Sequence, residues 1–471
     1  MFVIPKTKIV CTIGPGTESL KQIKKLVQAG MSIARINFSH GNYDQYAGMI
    51  KHIKSASRSV GILLDTKGPE VRTGLIHDNV HLSVGQLFTL TTRKIVGNSS
   101  VVHVTYAPLP KQMKRGDPIL IDDGLIELRV EKVKGKDVIC RVISSGDLGN
   151  QKSVTLPKKK IKLQSITKKD EQDIRFGLRH GIDFIAASFT RSGRDILEIK
   201  KIAKSHPHVK VIAKIECQEA VNNFYDILSV ADGVMVARGD LGVELPLEDV
   251  PLIQKFIIEQ CNLAGKPVIT ATQMLETMVY NKRPTRAETS DVANAILDGT
   301  DAVMLSEETA IGKYPFQAVK FMRKIAEKIE PKILGKHKHT IIKSDDAIAK
   351  AVFDIAKVTK IKKVIVCTYS GFSAELVSKY RPDVDIIAVT PVSETVRQLS
   401  LVWGAEPVLL SPAMEHRIHS TGDLIKFAVK EAYKNKFVKK DEKVLITAAH
   451  PLNIRKRTNL LEIHEVRELL K

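Results

Sequence analysis

Eight short β-branched runs, spaced at the interval of a strand–helix repeat, predict an α/β protein built on a closed (β/α)8 barrel. One overlong gap predicts a small all-β domain inserted after strand 3. A further alternation near the end predicts a C-terminal doubly wound α/β domain. The runs cover 8–13, 32–37, 61–66, 184–189, 210–216, 233–238, 267–272 and 302–306. They are almost continuously apolar, as strands buried on both faces of a parallel sheet must be. Apart from the gap, they recur every 23 to 34 residues or so, roughly the length of a βα unit. Helical patterns fill the intervals, for example 19–29 and 254–264, the latter ended by Gly265 before Pro267.

The stretch from Thr66 to Phe184 is too long for one crossover helix. Within it, 80–90, 99–104, 119–121, 127–132 and 137–143 run β-like, with glycine turns at 96–98, 115–117, 122–124 and 134–136. The expected division is a barrel over 1–69 and 158–335, an inserted lid domain over 70–157, and an α/β domain over 345–471. Residues 334–344 read as a polar, basic linker. Beyond it come a helix at 347–358, a strand at 363–368, a helix at 374–379 and strands at 385–389, 407–410 and 443–447.

Composition narrows the function. Of the 471 residues, 43% are hydrophobic, which excludes intrinsic disorder. The longest apolar runs are about half the twenty residues that a membrane span needs. Met1–Ile4 is followed at once by Pro5 and Lys6 rather than by the apolar core of a secretory leader. Cys11, Cys140, Cys217, Cys261 and Cys367 lie far apart, an odd and dispersed set that reads as reduced thiols in a cytoplasmic protein. Seventy-three Lys and Arg against 52 Asp and Glu leave a net charge of +21, which calls for anionic partners. Nucleic acid is not the expected one. The basic residues are scattered outside 158–162 and 455–457, and one Trp with nine Tyr is thin for stacking bases. Phosphorylated small molecules account for the charge equally well.

The barrel strands end in polar clusters: Arg35, Asn37 and Ser39; Asp65, Thr66 and Lys67; Lys214 and Glu216; Arg238, Gly239 and Asp240; Thr272; Ser306 and Glu308. A single charged strand end is usually a solvated loop group. Six on one edge of a parallel barrel converge on one mouth, where barrels of this kind carry their active sites. Lys214 and Glu216, two residues apart, share a side of their strand, which suits either an internal salt bridge or a shared ligand. With Asp240 one strand along, two carboxylates beside cations suit Mg²⁺, which keeps other positions for water and substrate oxygens. Lys214 would then offset a developing oxyanion. Gly239 permits close backbone approach to a carboxylate, and Arg35 could fork onto a phosphoryl group. Asn37, Ser39, Asp65 and Thr66 could cage a monovalent cation or form a plain hydrogen-bonded network.

The stretches TKIVCTIGP (7–15), ARINFSHG (34–41), LDTKGPEVRTG (64–74), IAKIE (212–216), VARGDLGVE (236–244), TATQMLE (270–276), RPTRAE (283–288) and MLSEETA (304–310) are long and in order. On them, the chain resembles the pyruvate kinases along essentially its whole length. The resemblance implies phosphoryl transfer from phosphoenolpyruvate to ADP, giving ATP and an enolate that is protonated to pyruvate. It implies Lys214, Arg35 and Thr272 as catalytic residues, with Arg35, Lys214, Gly239, Asp240 and Thr272 binding substrate. Glu216 and Asp240 match the Mg²⁺ (or Mn²⁺) ligands, and Asn37, Ser39, Asp65 and Thr66 the K⁺ ligands. Asn37, Phe38, Ser39, His40, Arg72 and Lys152 fall on the nucleotide side. Glu70 occupies the position where Glu accompanies K⁺ dependence in the family and Lys accompanies independence.

The resemblance further implies a homotetramer whose inserted domain closes over the nucleotide. It also implies a C-terminal domain that binds a phosphorylated effector, a sugar phosphate or a nucleotide. Thr368, Ser370, Gly371 and Ser373, at a strand-to-helix turn, with Arg455 and Arg457, are the effector candidates. Two departures stand out. The hinge, commonly Gly-Val-Asn-Leu-Pro-Gly, here runs SVTLPK over 153–158, and Cys217 replaces a more usual polar or basic residue. A quiet buried thiol is the expected reading of Cys217. Two other functions compete: a Mg²⁺-dependent aldolase or carboxylase barrel, which gives no reason for the insertion, Arg72 or Lys152, and a non-catalytic nucleic-acid or metabolite sensor, against which Lys214, Glu216, Asp240 and Thr272 argue.

Overall fold

The computed structural model describes residues 5–157, 159, 161, 163–334, 344–451 and 457–471. Eight parallel strands close into a barrel: Lys8–Thr12, Ile33–Asn37, Gly61–Asp65, Phe184–Ala187, Lys210–Ile215, Gly233–Ala237, Val268–Ala271 and Ala302–Leu305. The first strand pairs with both the second and the eighth, so no edge is left open. All the strands but the second, which ends at Asn37 as expected, end one or two residues before the sequence suggests, because their polar C-terminal residues leave the ladder to form the mouth. The flanking helices start where side chains can cap them. Thr167 with Asp170 and Thr285 with Glu288 form reciprocal capping boxes. The helix expected at 254–264 begins earlier, at Val250, with Pro251 in its first turn, and ends at Gly265 in the left-handed conformation.

The insertion between the third and fourth strands is an all-β unit with its own core, including Phe88, Leu90, Leu128 and Cys140. Its six-stranded sheet runs in the order Val154–Thr155, Pro118–Ile121, Ile126–Lys134, Asp137–Ser144, Leu87–Thr91 and Val101–His103. The run expected as one strand over 80–90 is two. Val80–Leu82 pairs with Gly146–Leu148, and a turn through Gly85, at φ +82°, redirects the chain into Leu87–Thr91.

The C-terminal sheet has five strands in the order Ala405–Leu409, Asp385–Thr390, Lys363–Cys367, Lys443–Ala448 and Leu460–Glu465. The last is antiparallel and was not apparent in the sequence. Its half-exposed, charge-interrupted pattern suits an edge rather than a doubly covered centre. The linker expected over 334–344 falls largely on residues 335–343, outside the described residues.

This domain seals the lower end of the barrel. Leu401 joins Val10, Ile33, Leu63, Ile212 and Met304 in the barrel interior, and Trp403 belongs to the core around the barrel. The approach is so close that a Cβ on Gly61 would lie 2.7 Å from Ser400 Oγ and 2.9 Å from the Arg397 carbonyl oxygen. All five cysteines are unpaired. Among the described residues, no helix is long and apolar enough to cross a membrane.

Candidate active site at the barrel mouth

The mouth is organised around Asp65, which is buried at the end of the third strand. Its Oδ2 accepts Arg35 Nε at 2.7 Å, and its Oδ1 pairs with Lys214 Nζ at 3.1 Å. Ser188, just past the fourth strand, donates to the same Oδ1 at 3.1 Å and to the Thr66 carbonyl at 2.6 Å. Lys214 Nζ also contacts Ser188 Oγ and Glu216 Oε1, each at 2.7 Å. Three adjacent strands are thus tied by one ammonium. The salt bridge between Lys214 and Glu216 is made, and it is part of a network rather than an isolated pair.

The electrostatics follow from that crowding. Burial alone would raise the Asp65 carboxyl, but Lys214 and Arg35 outweigh it and hold the pKa below its ordinary value. Burial likewise opposes the charge on Lys214, yet Asp65, Glu216 and Asp240 keep its pKa well above that of a free lysine. Glu216 moves the other way: burial and repulsion from Asp240 push it up against the pull of Lys214. Its Oε2 accepts the Phe189 N–H at 2.5 Å. Asp240 is reachable from solvent on the rim. The cleft nevertheless thins its hydration, and with Asp123, Asp65 and Glu70 raises its pKa against Lys214.

An open cleft of about 1260 Å³ lies between the barrel mouth and the inserted domain; it reaches Glu216 and Asp240, while Arg35, Asp65, Ser188 and Lys214 lie behind its walls. Glu70, Asp123, Phe189, Glu216 and Asp240 are among its walls. Cys217 lines it too, with a thiol that burial pushes up to about 11, so it stays protonated near neutrality.

Backbone strain is also found at this edge. Phe189, Thr272 and Gln273 all have left-handed backbones, with φ of +53°, +65° and +54°. Such non-glycine conformations cost on the order of 1–3 kcal/mol each and persist only where neighbours enforce them. The Thr272 hydroxyl accepts the Gly239 N–H at 2.8 Å and donates to the Ala271 carbonyl at 2.6 Å. Gly239, Asp240 and Thr272 are therefore neighbours across the sixth and seventh strand ends. Glu308, expected at the eighth, is buried, and accepts N–H groups from Ser306 at 2.7 Å and Leu275 at 3.2 Å. Burial raises its pKa.

The remaining sequence candidates are placed as follows. Asn37 Oδ1 accepts the Ser39 N–H at 3.0 Å, which orders the loop that ends in exposed His40. Thr66 Oγ1 donates to the Ala186 carbonyl at 3.2 Å and accepts the Ser188 N–H at 3.1 Å. Phe38 turns its ring into the core, stacked on Tyr46 at 3.9 Å, and both its backbone groups are bonded. It supports the loop from Asn37 to His40 from behind. Arg72 pairs with Glu70 at 2.6 Å, and Lys152 with Asp122 at 2.8 Å, both at the root of the inserted domain.

In the C-terminal domain, the Gly371 N–H reaches Thr368 Oγ1 at 3.0 Å. Ser373 is buried and accepts Thr458 Oγ1 at 2.6 Å, with the Arg457 carbonyl 3.4 Å from its hydroxyl. Arg455, and the hinge lysines 158, 160 and 162, lie outside the described residues. Ser188 is the member of the mouth that sequence reading passed over. Its signal was positional: a hydroxyl at the fourth strand end, level with Asp65 and Lys214.

Of the carboxylates on the cleft walls, which also include Glu70, Asp123, Glu219 and Glu244, Glu216 and Asp240 lie nearest Lys214 in the chemistry of the mouth, since both act on its charge. Among the described residues, the Asp240 carboxylate has no protein hydrogen bond or ion pair, and no group of three or more His, Cys, Asp or Glu is placed to hold a metal ion, here or elsewhere. Glu216 and Asp240 are both disfavoured as bare anions, and both are hard oxygen donors. That donor set fits a divalent cation with several positions left for other ligands.

A closed parallel barrel with a buried lysine, paired acids and strained strand ends at its C-terminal mouth defines a barrel enzyme whose active site lies at that mouth. Residues 4–319 match the family model described as pyruvate kinase, barrel domain, and residues 346–464 the model described as pyruvate kinase, alpha/beta domain. A pyruvate kinase of Staphylococcus saprophyticus is 47% identical, covering 98% of this chain and 80% of the relative. One from Geobacillus stearothermophilus is 45% identical over 99% and 81%. The crystal structure of a pyruvate kinase from Cryptosporidium parvum superposes with a TM-score of 0.90 at 37% identity, covering 98% of this chain and 96% of that one. The chain belongs to the pyruvate kinase family.

Proposed function

We propose that the barrel mouth moves the phosphoryl group of phosphoenolpyruvate to ADP, with Lys214 as the central catalytic residue. The observation that carries this reading is the buried Lys214 ammonium, held between Asp65, Glu216 and Ser188, with Glu216 on the cleft wall. Phosphoryl transfer asks mainly for positioning and charge neutralisation, because the protein itself has little covalent chemistry to perform. Lys214 stays protonated through the reaction and faces the charge that builds on the enolate oxygen. Its three partners fix it in place beforehand, so no reorganisation is needed at the transition state. Arg35, fixed by Asp65 and by Thr12 Oγ1 at 2.9 Å, steers the phosphoryl group. Gly239, Asp240 and Thr272 hold the substrate carboxylate.

Glu216 and Asp240 would hold Mg²⁺ or Mn²⁺, which when bound neutralises phosphoryl and enolate oxygens. For K⁺, Asn37, Ser39, Asp65 and Thr66 supply neutral and charged oxygens on adjacent strand ends. Asp65 and Thr66 also hold the mouth together through their own hydrogen bonds. The loop from Asn37 to His40, Arg72 and Lys152 form the nucleotide side. The inserted domain, at whose root Arg72 and Lys152 lie, closes there to exclude water. Thr368, Ser370, Gly371, Ser373, Arg455 and Arg457 are proposed to take a phosphorylated effector, and the working assembly is a homotetramer.

The test is a pyruvate-release assay with and without ADP, Mg²⁺ and K⁺. Pyruvate should form only with ADP and a divalent cation, and faster in K⁺ than in Na⁺. Pyruvate release without ADP would favour another phosphoenolpyruvate barrel, and equal rates in Na⁺ and K⁺ would remove the K⁺ assignment.

A further inference from the structure

The left-handed backbone at Thr272 and Gln273 needs something to hold it, and Thr272 is β-branched, the type of residue least at ease there. The group that grips this loop is Arg238, the residue immediately before Gly239. Its Nη2 donates to the Thr272 carbonyl at 2.6 Å and lies 2.9 Å from Met274 Sδ, while its Nε reaches toward the Ala271 carbonyl at 3.4 Å. Its donors therefore fall on both sides of the strained pair. Nη1 is anchored by Asp291 Oδ1 at 2.7 Å, on the helix Arg286–Asp298, with Gln254 Oε1 at 3.4 Å. The side chain is only 10% exposed, and Arg238 is not among the cleft walls.

We propose that Arg238 is a positioning residue for Thr272: anchored by Asp291, its guanidinium holds the loop after the seventh strand in the conformation that sets Thr272 Oγ1 on the Gly239 N–H. This rests on the reading of Gly239 and Thr272 as carboxylate-binding groups. A planar fork with several fixed donors can grip two successive carbonyls of a bent backbone and the Met274 sulfur beyond them at once. A lysine ammonium is a point charge on a flexible stem and cannot span them. Asp291 does two things: it neutralises a cation that would otherwise be stranded in a buried place, and it fixes the plane of the guanidinium. The sixth and seventh strand ends are thereby cross-linked at the two residues proposed to meet the substrate.

Two double-variant cycles on the full chain test this. In the kinetic cycle, Arg238→Gln is expected to lower kcat/KM for phosphoenolpyruvate by about 10- to 100-fold, the usual cost of a misplaced binding group. In a Thr272→Ala background the same change should cost less than about twofold more, since the group it serves has gone. Arg238→Lys should fall between wild type and Gln, and it serves as the working variant if Gln does not fold. In the thermal cycle, Thr272→Gly accepts a left-handed backbone freely, so removing Arg238 should lower the melting temperature less there than in wild type.

Full additivity in both cycles would overturn the proposal, as would an unchanged kcat/KM in Arg238→Gln together with an uncoupled thermal cycle. Thr272→Ala with wild-type kcat/KM, alongside a coupled thermal cycle, would remove the substrate role of Thr272 and leave the positioning by Arg238 standing.

Discussion

The two ends of the barrel are built from the same eight strands and solve opposite problems. At the upper end, Asp65, Lys214, Glu216 and Asp240 crowd like and unlike charges around an open cleft, and three non-glycine residues sit in left-handed backbones. At the lower end, Leu401 fills the interior and Trp403 is sandwiched between Lys6 and Arg381, 5.3 and 4.8 Å from its ring centre. Ions occur below as well, but in closed pairs: Arg381 with Asp301 and Arg397 with Asp183, both at 2.8 Å. Backbone strain occurs at both ends, since Arg381 also has φ +46°; what differs is charge, which is closed in buried pairs below and left unbalanced at the mouth, where a ligand can reach it.

Two buried aspartates sharpen the point. Asp65 has two cations and a hydroxyl, and its pKa is held down despite burial. Asp183 has one arginine and the Ile62 N–H, and burial wins, so its pKa is raised. The upper site is poised to keep charge, whereas the lower one only tolerates it.

The contrast can be broken at its strongest point by Lys214→Met. Turnover should fall by about 10³-fold, the scale of losing one preorganised charge-stabilising group, with affinity for phosphoenolpyruvate largely kept. Steady-state kinetics alongside substrate titration measures both, and a kcat near wild type would end the assignment. Next in size is Leu401→Ala at the lower end. It should cost about 2–5 kcal/mol of unfolding free energy through the cavity it leaves, while kcat stays within about twofold. Denaturant unfolding reads the first and the same kinetic assay the second. A large kcat loss would mean that the floor of the barrel shapes the mouth.

The smallest effect is in acid. Because the folded pKa of Asp65 lies below its ordinary 3.8, its contribution to stability is present above that value and lost as pH falls through the folded pKa. Asp183, with a raised pKa, has the opposite sign: its contribution is present below 3.8 and lost as pH rises through its folded value. Melting temperatures of wild type and Asp65→Asn between pH 2 and 5 should converge at the acid end. Parallel curves would show that Asp65 gains nothing from its cations.

Much of this was legible in the linear chain. The eight apolar runs, the turn-rich insertion and the clusters Arg35–Ser39, Asp65–Thr66, Lys214–Glu216 and Gly239–Asp240 were visible because strand periodicity and strand-end polarity are local properties. Three things were not. The split of 80–90 into two strands depends on which partners the two halves find, Gly146–Leu148 for one and Asp137–Ser144 for the other. The antiparallel edge strand Leu460–Glu465 carries no strong apolar run, because an edge does not need one. The part played by Arg238 could not be read from its place in VARGD, since its partners lie 34 and 53 residues away.

The sequence by itself therefore determined the repeat, most of the mouth residues and the family, since each is written in short stretches whose spacing and chemistry need no partner. Only the tertiary structure decided which charges meet. It set Ser188 between Asp65 and Lys214, turned Phe38 inward, and placed Leu401 from a distant domain inside the barrel. Barrel closure brings strands far apart in the chain to within hydrogen-bonding distance, and the balance between burial and partner charge can be struck only there.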